Sequence, residues 1–420
     1  MKRSIVALTV LLAFGATAAE LQKRDNVFIE NAANHAISIH DWDKAENSAS
    51  TFPHAYKFTH SYKLNTSGVV PQEFKPVDLG LNKIVVSDIE GDINLETFLR
   101  ERIKNHSLVV IKGDKILHEH YWNNMTPSST HLDVSVTKSF TSLAAQKAVG
   151  AGKLDMDKKV IHYLPELKGT VWETATVQEV SDMRTSVIQP VSAHKSWDDR
   201  MTISQSYNSD TGVKDYPNGV SDYFPLVTEF KYSMGETYTY QCVNTEVLGK
   251  VVEKVTGENL ADIIEVIFQD VGVENNAYLM ADHAGGAMAS GGLNAGTKDL
   301  ARVGAMLLND GKNYQGMQVI SSAFIDSLFD GNELVRSAWT KSKEAALADG
   351  WYKDQFRLLN LDGHEILAMV GIHGQVVAME RSTGTVIAMN GGYPQTETPR
   401  MAISIFHKAI PAILKAAASK

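Results

Sequence analysis

Ser135-Val136-Thr137-Lys138-Ser139-Phe140-Thr141-Ser142-Leu143-Ala144-Ala145-Gln146-Lys147-Ala148-Val149-Gly150 is the most readable stretch of the chain. Val136, Phe140, Leu143 and Ala144 recur at i, i+4, i+7 and i+8, the apolar stripe of an amphipathic helix. Gly150-Ala151-Gly152 ends that helix, and Asp133 stands where a cap for its start belongs. Ser135 and Lys138 are one turn apart, at i and i+3, where Cβ atoms lie about 5–6 Å from each other. A serine hydroxyl is a poor nucleophile near neutral pH because its proton must leave as the oxygen attacks, and a neighbouring amine takes that proton. Short S-x-x-K runs also arise by chance, and Ser192-Ala193-His194-Lys195 is a second copy. It follows Pro190 and runs into Ser196-Trp197-Asp198-Asp199-Arg200, which is polar and lacks a helical period, so it reads as loop. Ser135 is the candidate nucleophile.

The chain of 420 residues opens on Lys2-Arg3, an apolar run from Ile5 to Phe14, and Ala16-Thr17-Ala18-Ala19. That pattern is a cleavable bacterial-type secretory leader, its apolar run too short to span a bilayer. Residues 1–19 are therefore expected to be removed after Ala18 or Ala19, leaving a periplasmic or secreted product. No later segment reads as a membrane span. The balance of 40 Lys+Arg against 49 Asp+Glu gives a net charge of −9, with no basic cluster, which argues against nucleic acid or an anionic membrane surface as partner. Cys242 is the one cysteine, so stability rests on packing and not on disulfides.

Residues 20–75 are polar and weakly periodic, an N-terminal extension expected to wrap a core formed elsewhere. Ser107–Ile111 and Ile116–Tyr121, around the turn Lys112-Gly113-Asp114-Lys115, read as a strand pair. Residues 135–284 are mainly helical, with Val243–Gly257 the clearest helix. The polar interval 189–223 inside them is too long for a passive connector. Thr297–Leu308 is helical, Gln375–Glu380 and Thr385–Asn390 flank a hairpin turn, and a closing helix starts near Thr398. The expected fold is α+β. An antiparallel sheet is built from both chain ends (76–134 with 285–420) and flanked by helices, with the mainly helical lobe inserted. A site at the seam is the default expectation.

A nucleophile at Ser135 needs a proton relay and an oxyanion site. Tyr240 stands just before the 243–257 helix, and Gly371-Ile372-His373-Gly374-Gln375 just before the last hairpin. S-x-x-K, then a tyrosine before a Leu-Gly helix, then a Gly-rich segment entering a hairpin resembles the serine β-lactamase-like superfamily. This group includes class C β-lactamases, D-alanyl-D-alanine carboxypeptidases, related esterases and 6-aminohexanoate-dimer hydrolases. The last are nearest in texture, through Ser135–Gly152 continuing into Tyr163-Leu164-Pro165-Glu166-Leu167, through Asp182-Met183-Arg184-Thr185, through Asn244–Gly249, and through Gly291-Gly292-Leu293 to Asp299-Leu300-Ala301-Arg302. The resemblance covers roughly residues 90–400. It implies a β-lactamase/transpeptidase-like fold and an acyl-serine hydrolase needing no cofactor. Ser135 is then the nucleophile, Lys138 its base and Tyr240 the proton relay. The backbone N–H groups of Ser135 and Gln375, after Gly374, form the oxyanion hole. The partner implied is a small-molecule amide or ester; a penicillin-recognising protein or carboxypeptidase with slow turnover is the alternative, and oligomeric state stays open.

Two positions depart from that pattern. Cys242 stands where the asparagine of Y-x-N belongs, with Asn244 two residues on, and Ile372 occupies the third-motif lysine position with His373 beside it. Both changes affect groups that recognise a β-lactam, so efficient β-lactamase activity is not expected. His373 is a candidate for part of the lost electrostatic role. Tyr238 rivals Tyr240, which the spacing favours. Cys242 as nucleophile has no histidine placed to activate it. His118-x-His120 lacks zinc-ligand spacing, and no metal is expected. Met288-Ala289-Ser290-Gly291-Gly292 lacks the first glycine of a nucleophile elbow. Trp197, Tyr207, Tyr216, Tyr223 and Phe224 either line a pocket or cover the helical lobe.

Overall fold

A computed structural model describes residues 19–185, 197–229, 231–394 and 399–420. Most of the leader, the Ser192–Lys195 copy and the Thr398 start of the closing helix lie outside the described residues. The main sheet has eight strands, numbered here in chain order. They are β1 (Lys75–Pro76), β2 (Asn105–Lys112), β3 (Lys115–Tyr121), β4 (Asp349–Lys353), β5 (Phe356–Leu361), β6 (His364–Gly371), β7 (Gln375–Glu380) and β8 (Thr385–Gly391). Their spatial order is β4-β5-β6-β7-β8-β2-β3-β1. All pairs are antiparallel except β1 with β3, which is parallel. Strands from both chain ends meet at β8–β2, as the sequence reading requires.

The sheet is buried on both faces, and alternation along each strand sorts its residues between two cores. Val109, Ile111, Val377, Met379, Val386 and Ala388 join the core of the helical lobe, with Phe140, Leu143, Leu248 and Leu300. Leu108, Val110, Val376, Ala378, Ile387 and Met389 face the other way, onto Phe98, Ile405, Ile410 and Ile413. The inserted helices are numbered α1 (Thr137–Gly150), α2 (Val177–Ser181), α3 (Cys242–Thr256) and α4 (Leu260–Val271), and α5 is Thr297–Leu308. The α3 helix ends on Gly257 with φ 76°, the left-handed conformation that suits a C-cap glycine. Gly304 lets α5 lie close on the sheet, since a Cβ there would sit 2.6 Å from Val386 Cγ1. One face of the sheet therefore shares its core with the helical lobe.

Three features differ from the sequence reading. A second, five-stranded sheet runs Leu21–Gln22, His60–Leu64, Ala277–Ala281, Leu293–Ala295 and His131–Leu132. Residues 20–75 do more than wrap the core: they supply two of its strands, and bury Trp42, Phe52 and Phe58 against Leu132, Met280 and Met288. Asp133 does not cap α1; its buried carboxyl accepts from Ala295 N–H at 2.7 Å and Asn390 Nδ2 at 2.9 Å. The C-terminal run Pro399–Ala418 is long and apolar enough to cross a membrane, which the sequence reading missed, but 50% of that window is buried inside the fold.

The β4–β5 turn clamps the sheet to the helical lobe. Asp354 and Gln355 both have positive φ (48° and 65°), the backbone of a two-residue hairpin turn that usually contains glycine. Tertiary bonds hold it there. Asp354 N–H donates to Asp182 Oδ1 (3.0 Å), Ser139 Oγ to Gln355 O (2.8 Å) and Thr245 Oγ1 to Gln355 Oε1 (2.9 Å). Burial first, and then the Asp354 carboxylate, push the Asp182 carboxyl up to about 6, against the pull of Lys353 and Arg184. Asp182 so keeps its proton to higher pH folded than unfolded, and its contribution to stability falls as pH rises from about 4 to about 6. Asp182→Asn should gain thermal stability relative to the wild type across that window. Melting both proteins at half-unit steps tests this, and a difference in Tm that does not move with pH would refute it.

Candidate active site

Ser135 sits in a single 3-10 turn, Val134–Val136, that runs into α1, and is 9% exposed. Val134 takes a left-handed φ of 44° to turn the chain from the short strand at Leu132 into the helix. The turn is held from outside: Thr137 Oγ1 donates to Val134 O and accepts from Leu293 N–H at 2.9 Å. The nucleophile candidate is thereby tied to both the helix and the second sheet.

Lys138 is 1% exposed, and its Nζ lies 3.1 Å from Ser135 Oγ, 2.6 Å from Ser290 O and 3.4 Å from Cys242 Sγ. The Ser290 carbonyl can only accept, so it fixes one N–H and orients the head group. Burial works against the ammonium, but Cys242 and Tyr240, when they carry negative charge, outweigh it and raise Lys138 above the ordinary lysine value. Burial pulls the other way, towards the neutral amine. The lone pair of that neutral amine can face Ser135.

Tyr240 is brought to this group. Its ring lies between two cations, with Lys138 Nζ 5.1 Å and Arg357 Cζ 4.7 Å from the ring centre. Thr239 N–H to Met183 O (2.9 Å) and Tyr238 N–H to Ala338 O (3.2 Å) pin the segment. Tyr238 points elsewhere: its buried hydroxyl donates to Glu344 Oε1 at 2.8 Å. Arg357 pairs with the same carboxylate, Nε to Oε2 at 2.8 Å. Asn244 is consumed in the lobe, accepting from Trp172 Nε1 at 2.9 Å and pairing with Thr185 Oγ1, so it does not stand in for the missing asparagine.

The Gly-rich segment differs from its sequence reading. Gly371, the last residue of β6, abuts Ser135: a Cβ there would lie 3.1 Å from Ser135 N and 2.7 Å from Asp133 O. Its φ of −120° is open to any residue, so space is what demands glycine. Gly374 instead packs towards Ile405, Ile103 and Tyr393. The Gln375 side chain is spent inside the sheet, Nε2 to Gly391 O (2.8 Å) and Oε1 from Gly391 N–H (3.0 Å). His373 is buried against Phe52, with Nδ1 donating to Tyr393 O at 2.8 Å, and burial lowers its pKa. A neutral ring held that way supplies no cation to the site. The glycine that abuts Ser135 is thus Gly371, three residues before the one read from sequence.

Two contributors had no sequence signal. Ser290 holds Lys138 through its carbonyl, and its own N–H and Oγ bond Glu246 Oε1 at 3.0 and 2.5 Å. Each contact joins residues far apart in the chain, so no local pattern announces it. Among the aromatics, Tyr223 (hydroxyl to Asp198 Oδ2, 3.1 Å) and Phe224 (ring against Trp172) cover the helical lobe. Tyr207 packs on Trp42 of the N-terminal segment, 4.9 Å between ring centres. Among the described residues no group of three or more His, Cys, Asp or Glu is placed to hold a metal, His118 and His120 included.

Comparisons with known proteins bear on the family and the fold. The Beta-lactamase family model matches residues 94–409. The 6-aminohexanoate-dimer hydrolase of Paenarthrobacter ureafaciens is 28% identical over 309 residues, 73% of this chain and 76% of that one. A Bacillus anthracis protein assigned as a 6-aminohexanoate-dimer hydrolase superposes with TM-score 0.76 at 22% identity, covering 91% of this chain and 97% of its own. An octameric penicillin-binding protein homologue from Pyrococcus abyssi superposes with TM-score 0.55 at 18% identity, covering 71% and 74%. These likenesses to solved structures establish the α+β, transpeptidase-like architecture. With the family model spanning well over half of its length, the chain belongs to the Beta-lactamase family.

Proposed function

We propose that this protein is an exported serine hydrolase that cleaves an amide or ester bond of a small molecule through an acyl-Ser135 intermediate. The observation that carries the reading is the 3.1 Å contact between the buried Lys138 Nζ and Ser135 Oγ. In the reaction Ser135 Oγ attacks the substrate carbonyl carbon as Lys138 accepts the hydroxyl proton. The carbonyl electrons move to the oxygen, beside the N–H groups of Ser135 and Ile372, the latter brought there by the close approach of Gly371. Collapse breaks the bond to the leaving group, which takes a proton by way of Tyr240. Water then attacks the acyl carbonyl with the same groups in reverse roles and frees the acid and Ser135. The Paenarthrobacter relative's name, a 6-aminohexanoate-dimer hydrolase, is the reason to try short ω-amino acid oligomers first as substrates. The Lys2–Ala19 pattern supports export.

Two variants test the chemistry. Ser135→Ala should lose the covalent adduct formed with a fluorophosphonate, seen by intact mass, and lower turnover of 4-nitrophenyl acetate by roughly 10⁴-fold or more. An adduct that survives the substitution would exclude Ser135 as nucleophile. Gly371→Ala places a methyl group 2.7 Å from Asp133 O and should cut kcat by about 100-fold through displacement of the oxyanion donors. Steady-state kinetics that leave kcat within threefold would refute that placement.

A further inference from the structure

Glu246 lies on α3, one turn beyond Cys242, and is 2% exposed. Its carboxylate gathers donors from two directions. Ala289 N–H reaches Oε2 at 3.1 Å, Ser290 N–H and Oγ–H reach Oε1 at 3.0 and 2.5 Å, and the Gln205 carboxamide bonds it from the long loop. The two N–H groups belong to consecutive residues of the turn whose next carbonyl, Ser290 O, holds Lys138 Nζ at 2.6 Å. An apolar side chain would fill this space without the cost of burying a charge. Here a carboxylate stands instead, and both backbone bonds to it come from the turn that supports Lys138.

We infer that Glu246 is a positioning residue for the acyl-transfer reaction. It fixes the Ala289–Ser290 peptide, and through Ser290 O it sets the direction in which the Lys138 amine faces Ser135. The inference rests on the roles proposed above for Ser135 and Lys138. A glutamine could keep one acceptor but would turn an NH2 donor against a backbone N–H, so the loss is chemical and not a matter of size. Burial raises the Glu246 carboxyl above its ordinary value, while the Ser290 donors and the attraction of Lys138 pull it down, so ionised Glu246 and the Lys138 ammonium stabilise each other. The other titratable or charged groups around them are Tyr240 and Cys242 beside Lys138, and Lys250 one turn along α3 from Glu246. Gln205 extends the arrangement outward: the long loop touches the base through Glu246.

The test is the second-order rate of fluorophosphonate labelling against pH, with the fold of each variant followed by circular dichroism. Glu246→Gln should label about 100-fold more slowly at the wild-type optimum. Its acidic limb should move to lower pH, because the Lys138 ammonium has lost a stabilising neighbour and gives up its proton earlier. Glu246→Asp keeps the charge but withdraws the carboxylate, and should lose rate without moving the limb. Labelling by Glu246→Gln within threefold of the wild type would overturn the inference, as would a slower rate with an unmoved limb, the mark of a merely structural carboxylate. Should Glu246→Gln fail to fold, the Asp variant decides alone: a rate within threefold overturns the role. Wild-type labelling that persists in Ser135→Ala would instead defeat the parent reading, so the two failures are distinct.

Discussion

A lysine head group with 1% of its residue exposed is the constraint around which the site is arranged. Burying an amine or ammonium is costly unless each donor finds a partner. Lys138 finds them in Ser135 on its own helix turn, Cys242 at the start of α3, and the Ser290 carbonyl before the second sheet. Three chain segments must therefore meet within hydrogen-bonding distance of one atom. Once they do, the lysine has little freedom to point anywhere except at the serine.

The sheet supplies the opposite wall, and a buried polar thread couples that wall to the turn that carries Ser135. Ser107 on β2 meets Thr297 on α5 at 2.6 Å, Thr297 donates to Asn390 on β8 at 2.6 Å, and Asn390 donates to Asp133 at 2.9 Å. Asp133 lies two residues before Ser135. Fully satisfied networks of this kind specify one arrangement in a way that apolar contacts cannot. They explain how β6 can run so close to Ser135 that only a glycine fits at Gly371.

Local periodicity carried much of this to the eye. The apolar stripe behind Ser135, the Leu248-Gly249 helix after Tyr240 and the closing hairpin are all short-range patterns, and each corresponds to an element observed. The i, i+3 spacing of Ser135 and Lys138 became a hydrogen bond because helix geometry alone decides it. Pairings that only tertiary structure creates were not legible. Glu246 and Ser290 are joined across 44 residues, and nothing near either one hints at the other. The sequence marks a Gly-rich turn without saying which glycine abuts the helix, and in the fold that glycine is Gly371. The extension 20–75 looked featureless because its two strands are short and find their partners in distant segments.

The joining of Ser135 to residues more than a hundred positions away has a consequence for the chain while it is being made. Contacts so distant in sequence form late, after the loops between them have closed. Until α3, the Ala289–Ser290 turn and β6 have all docked, Ser135 is an ordinary serine at the end of a helix. The setting that the proposed chemistry requires thus arrives only with the completed fold.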